Sequence, residues 1–233
     1  MKPAGAPCLA RDAVAVPGYL RDAYWWAYVH PNAVRLFERQ WLVNLILWGN
    51  FGRLRDAALD ALGSSLHGRT LQIACVYGDL TRKLRARHAS AGVLDVVDVL
   101  PVQLDNLARK LPGRASVGLI LGDSTALDIA PASYDRALLF FLLHEQPEAA
   151  RRATLAEALR VVKPGGRVVI VDYHRPHWPN PLYWPMAAIL RTLEPFALDL
   201  WRHEITEWLP PRVRRLEKAT VFGGLYQIVR VTV

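Results

Sequence analysis

Residues 71–81, Leu-Gln-Ile-Ala-Cys-Val-Tyr-Gly-Asp-Leu-Thr, are the most informative stretch of the chain. A short apolar run leads into a loop with one glycine, Gly78, and then into a helix-prone segment. The N–H groups opening such a helix can receive a carboxylate, and Gly78 lets the backbone approach a ligand closely. About twenty residues on, Asp98 closes the next apolar run, where an acid can bind both hydroxyls of a ribose. Asp95 competes for that role but lies inside the run. Asp123 and Ser124 follow a third run, His144 and Glu145 a fourth, and Asp172, Tyr173 and His174 close a fifth. A histidine so placed can serve as base or metal ligand, or merely support a wall. Asp79 can bind a metal or cap the helix it precedes.

Those positions need a frame. Residues 71–76, 93–99, 117–121, 135–142 and 167–173 read as strands; 81–88, 101–111 and 149–162 read as helices between them. Pro101 suits a first helical turn, and Lys163-Pro164-Gly165-Gly166 stops a helix and turns the chain. Strands this apolar, alternating with helices, predict a mainly parallel sheet covered on both faces. Residues 214–222 and 225–233, split by Gly223-Gly224, predict a terminal antiparallel hairpin. Two aromatic-rich stretches fall outside the alternation. Residues 1–60 form a helical lead-in with Tyr19, Tyr24, Trp25, Trp26, Tyr28, Phe37, Trp41, Trp48 and Phe51. Residues 174–212 form an insertion in the domain spanning 61–233. There, prolines 176, 179, 181 and 185 should delay any long helix until about residue 186.

Composition excludes several classes. A content of 52% hydrophobic and 21% charged residues fits an ordered globular chain rather than a disordered one. Cys8 and Cys75 lie far apart, which argues against a disulfide scaffold or a cysteine zinc site. The first residues lack the charged and apolar regions of a signal peptide. The formal charge of +8 is spread over scattered arginines, so no nucleic-acid arm is expected, whereas an anionic membrane surface remains open. The aromatics can pack the coverings onto the sheet or form a greasy channel for a lipid tail.

Taken in order, residues 69–173 resemble the class I methyltransferases that use S-adenosylmethionine (SAM), with a Rossmann-like α/β fold and a seven-stranded sheet. Their loop opens with an acid and carries G-x-G-x-G. Here Gln72 stands at the acid, Ala74 and Val76 replace two glycines, and Gly78 remains. Gly122-Asp123-Ser124 matches the segment that meets adenine. Ser133-Tyr134-Asp135 with 138–145 matches the fourth strand, and LRVVKPGGRVVIVDY at 159–173 the helix, turn and fifth strand. The resemblance implies SAM held by Gln72, Ala74, Val76, Tyr77, Gly78, Asp98, Val99, Asp123 and Ser124.

Within that superfamily, GDLT at 78–81, Asp172-Tyr173-His174-Arg175-Pro176 and FGGLYQIV at 222–229 resemble quinone-ring C-methyltransferases of ubiquinone and menaquinone synthesis. YWWAYVHP at 24–31 and VYGDLT at 76–81 resemble the rhodoquinone-biosynthesis methyltransferase-like proteins. This implies exchange of a ubiquinone ring methoxy group for an amino group from SAM, with a divalent metal such as manganese assisting. It also implies a prenylated quinone partner and a cytoplasmic protein peripherally bound to the inner membrane. The residues are compatible with that chemistry. Gln72 attracts the donor's ammonium group less than an acid would, and Val76 and Tyr77 can turn the α-amine toward the ring. A less anionic pocket also lowers the amine's pKa. Tyr77, His144, Tyr173 and His174 are the catalytic candidates, although Tyr77 could simply fill space. Spacing defines no metal ligands. A conventional quinone C-methyltransferase and a non-catalytic quinone- or SAM-binding protein are the alternatives.

Overall fold

The computed structural model describes residues 15–23, 38–111, 117–210 and 213–233. The expected lead-in residues Tyr24, Trp25, Trp26, Tyr28 and Phe37, the 24–31 motif and Cys8 lie outside them. Short helices α1 (Gly18–Ala23) and α2 (Gln40–Ile46) precede α3 (Phe51–Leu62). There follow β1 (Arg69–Ile73), α4 (Leu80–Ala86), β2 (Val93–Asp98), α5 (Pro101–Lys110), β3 (Val117–Leu121) and β4 (Tyr134–Phe140). The chain continues through α6 (Glu148–Val161), β5 (Val162–Tyr173), α7 (Tyr183–Leu193), α8 (Asp199–Arg202), β6 (Arg215–Val221) and β7 (Tyr226–Thr232).

The sheet has seven strands in the order β3-β2-β1-β4-β5-β7-β6. All neighbouring pairs are parallel except β5 with β7 and β7 with β6. The expected α/β plan with its antiparallel terminal hairpin is therefore present. The order reverses at β1, flanked by β2 and β4, so a crevice opens beyond their carboxyl ends. Apolar runs dictate this arrangement: β1 and β2 are buried nearly throughout, and β5 from Val168 to Tyr173, because helices cover both faces. On α3, Phe51, Leu54, Ala58, Leu59 and Leu62 recur at helical spacing and pack onto β4, β5 and β7. The expected boundary at 60/61 falls inside this helix.

Two details differ from the sequence expectation. β5 begins at Val162, directly after α6, and takes the Lys163–Gly166 segment in as a register shift against β4. Gly165 sits at φ +79°, so the chain bulges there without leaving the sheet. Helix α7 starts at Tyr183, ahead of the expected residue 186, because Pro185 falls in its first turn, where its missing N–H is not needed. Arg151, fully buried on α6, holds the 174–212 segment down. Its guanidinium donates to Leu143 O, Phe196 O and Asp199 Oδ2 and lies over the Trp208 ring.

His88 follows α4 at the opposite end of the sheet, buried, with no hydrogen-bond partner for either ring nitrogen. Burial, with Arg85 and Arg136 nearby, pushes its pKa down to about 4. The unfolded chain therefore takes up this proton first. The stability involved is present above pH about 6.5 and is lost as pH falls toward 4. Urea midpoints from pH 7 to 4 should fall more steeply for the native chain than for His88→Leu; parallel curves would refute this.

Candidate active site

The loop after β1 keeps an unusual backbone. Ala74 sits at φ +71°, a left-handed conformation that glycine adopts freely and that strains a residue with a Cβ. Gly78 sits at φ +82°, and an added Cβ would come within 2.9 Å of the Phe51 ring. Relieving the strain at Ala74 outweighs the extra freedom a glycine gives the unfolded chain. We expect Ala74→Gly to stabilise the fold by about 0.5–1 kcal/mol, read from denaturant unfolding. A loss of stability would contradict the strain argument.

Gln72 is buried behind this loop and ties its ends together. Its Nε2 donates to Ala74 O at 2.9 Å, and its Oε1 accepts from Thr81 Oγ1 at 2.9 Å. An acid here would bring a charge; the amide brings none. Gly78 N donates to Glu38, whose carboxylate also takes Asn106 and Lys110. Gln72, Val76 and Gly78 are thus set around the loop rather than on the cavity wall.

That cavity, of about 650 Å³ including its mouth, lies at the switch point. Ala74, Cys75, Tyr77, Asp98, Val99, Asp123 and Ser124 face it, bringing most of the expected donor positions together. Asp98 is anchored from both sides, by Cys75 N to Oδ2 at 2.7 Å and Leu100 N to Oδ1 at 2.8 Å. Burial holds its carboxyl above the usual range although those N–H groups oppose the shift. Asp95 instead serves Arg69 and the Tyr134 hydroxyl. The Asp123 carboxylate accepts from Thr125 N and Oγ1, and Ser124 Oγ pairs with Thr154 and Gln146. Tyr77 Oη accepts from Gln103 Nε2 at 2.8 Å, and burial pushes its pKa up, so it is a neutral phenol. Asp79 precedes α4 without capping it and pairs with Arg55.

Several wall residues were not legible as such. Tyr19 and Leu20 from α1 close the cavity, together with Gln103, Phe141 and Leu142. Burial pushes Tyr19 up to about 12. Phe141, at φ +54°, separates the cavity from a buried cluster; its ring meets those of His144, Tyr173 and Tyr226.

His144 stands in that cluster, on the turn after β4. Its Nδ1 is 3.0 Å from Asp172 Oδ1, and its Nε2 lies 3.8 Å from Glu145 and 4.0 Å from Glu194. Burial alone would lower its pKa, but the charge and hydrogen bond of Asp172, with Glu194 and Glu145, raise it to about 9. Tyr173 packs edge-on against His144, its phenol pushed up by burial. Glu145 also faces the cavity, so it links the imidazole to the interior. His174 is elsewhere. Its backbone N–H binds Leu225 O, where the chain turns toward the β6–β7 hairpin. Its Nδ1 binds Gly224 O and its Nε2 faces Lys218 Nζ, along a separate recess. It joins neither Tyr77 on the cavity wall nor His144 and Tyr173 in the cluster behind Phe141.

Among the described residues, no group of three or more His, Cys, Asp or Glu is placed to hold a metal ion. Asp172 already accepts from the backbone N–H of Leu143, His144 and Tyr173 as well as facing His144. The described residues do not fit the metal the resemblance implies.

Residues 70–166 match a family described as a methyltransferase domain. A demethylmenaquinone methyltransferase of Beutenbergia cavernae is 31% identical over 180 residues, covering 72% of this chain and 70% of that one. Its counterpart from Renibacterium salmoninarum is 34% identical over 133 residues, 57% of this chain and 53% of the relative. The fold matches human N-acetylserotonin methyltransferase, solved in complex with SAM, with a TM-score of 0.63 at 15% identity over 93% of this chain and 60% of that one.

Proposed function

Because the chain belongs to the class I SAM-dependent methyltransferases, close to those of ubiquinone and menaquinone synthesis, we propose that it transfers a group from SAM to the ring of a prenylated quinone at a membrane surface. The relatives' names support methyl transfer to a ring carbon most directly. The rebuilt donor loop favours a second reading, amination of ubiquinone to rhodoquinone. In either case, bound SAM supplies the transferred group.

The chain's own residues divide the work. Asp98, oriented by Cys75 N and Leu100 N, offers its remaining lone pairs to the ribose hydroxyls. Val99, Asp123 and Ser124 flank the base, while Ala74 and Tyr77 shape the wall at the amino-acid end. The altered wall carries the amination reading. Uncharged Gln72 withholds the attraction that would keep the donor's amine away from the ring, and the Tyr77 phenol fills the space where a smaller residue would leave room for the tail. His144 fits that reading too. As an imidazolium it is a proton donor below pH about 9, suited to methoxide leaving and poorly suited to removing a proton from a ring carbon. Glu145 connects it to the cavity.

The deciding measurement uses ubiquinone and SAM labelled separately at nitrogen and at the methyl. Nitrogen label in the quinone product supports amination. Methyl label without nitrogen label leaves ring C-methylation as the function.

A further inference from the structure

Two helices of this protein turn uncharged faces to solvent. Helix α2, Gln-Trp-Leu-Val-Asn-Leu-Ile, contains no charged residue, and its Trp41 and Leu45 are 60% and 65% exposed. On α7, Trp184, Pro185, Ala188, Ile189 and Leu193 form adjacent rows at i, i+4 spacing on the outward side, Trp184 being 71% exposed. Trp48, just after α2, donates its indole N–H to Met186 of α7 at 3.0 Å, so the two faces form one surface. Monomeric soluble proteins rarely expose a contiguous apolar patch of this kind without a use for it.

A basic recess adjoins the patch. Arg175, His177, Arg202 and His203 line an open hollow of about 620 Å³, its mouth included, beyond the end of β5. The one acid in its lining, Glu204, is engaged by Lys218, while Asp199 and Glu207 flank Arg202 and His203 from outside it. The recess and the apolar face share an edge, because Tyr183 packs against both Trp184 and Trp201, and Trp201 lines the recess. Trp178, 83% exposed, follows His177 directly. Exposed Arg39 precedes α2 and exposed Arg191 stands on α7.

We propose that the α2–α7 face and the adjoining arginine–histidine recess seat the protein on an anionic lipid bilayer, a step that rests on the prenylated-quinone reading and supplies its route to substrate. Tryptophan rings at the headgroup level, aliphatic side chains just beneath and arginines on phosphates are the arrangement of a peripheral interfacial protein. The guanidinium of Arg175 can bind headgroup phosphate bidentately, and Arg202, whose Nη1 lies 3.5 Å from Asp199 Oδ1, can add its remaining N–H groups. No described helix is long and apolar enough to cross a membrane, and none is required. A second copy of the chain would also cover an apolar face, but it would bring the same positive recess against itself. The bilayer matches both apolarity and charge.

The test is flotation of the full chain with phosphatidylcholine vesicles and with phosphatidylcholine–phosphatidylglycerol vesicles. Native protein should float with the anionic vesicles and be partly released by salt. Trp184→Ser with Leu193→Ser should weaken binding about tenfold or more on both vesicle types. Arg175→Glu with Arg202→Glu should abolish the preference for anionic lipid. Native protein that stays below both vesicle types overturns the proposal, as do variants that float like it. A concentration-dependent dimer that Trp184→Ser abolishes assigns the face to a protein contact and overturns it as well. Turnover of a short-tailed, water-soluble quinone should be unchanged in the variants. If the native chain turns over no quinone yet floats, the functional reading fails and the docking face stands.

Discussion

Replacing Asp98 by asparagine is expected to weaken SAM binding about 10- to 100-fold, because hydrogen bonds to a charged group contribute about 1.5–3 kcal/mol. The carboxylate accepts from Cys75 N on one oxygen and from Leu100 N on the other, and both oxygens keep lone pairs for the cavity. An amide in its place must turn an N–H₂ toward one of those backbone N–H groups, so two donors face each other. The change thus removes a ligand contact and loosens the loop behind it, and stability should fall by about 1–3 kcal/mol. Titration calorimetry with SAM and with S-adenosylhomocysteine, alongside thermal melts, separates the two effects. Unchanged affinity for both would remove Asp98 from the donor site.

Removing the imidazole of His144 should lower kcat by about 10²–10⁴-fold, the usual contribution of a positioned proton-transfer group. Its acidity gives a sharper signature. With the pKa raised to about 9, native activity should hold through neutral pH and decline above that value. Asp172→Asn should move the decline toward lower pH, since Asp172 makes the largest contribution opposing burial. If His144 only supports the wall, the profile of kcat against pH will not follow Asp172. Stability carries the same sign. The folded pKa lies above the unfolded 6.5, so this contribution is complete below pH about 6.5 and is lost as pH rises through 9. His88 acts in the opposite direction below pH 6.5. The two histidines together predict a stability maximum near pH 6.5 that shifts in opposite senses when each is replaced.

The sheet was legible because its central strands β1, β2, β4 and the second half of β5 are largely buried and therefore read as apolar runs. Asp98 faces the crevice and Asp95 does not, because the last residue of a strand reaches the crevice while Asp95 pairs with Arg69 and Tyr134. Tyr19, Gln103 and Phe141 were not legible as wall residues, since each reaches the cavity through tertiary packing that no local pattern encodes. His174 stands apart from the other expected residues. It follows Tyr173 directly, yet where the strand ends the chain swings toward the hairpin and carries the imidazole to Gly224. The aromatics of the 174–212 segment divide in a way composition does not foretell. Trp201 and Trp208 pack inward, and Trp178 and Trp184 face outward.

The backbone at Ala74 bears on how such proteins diverge. Its φ of +71° is the dihedral that glycine populates readily, now imposed on a residue that disfavours it. The peptide path after β1 is therefore fixed by the ties of Gln72, Thr81 and the anchored Asp98, and not by the residue that occupies it. The dihedral angle at this position keeps the form of a glycine loop where the letter does not. A search that counts glycines will pass over relatives that a search on backbone shape would retrieve.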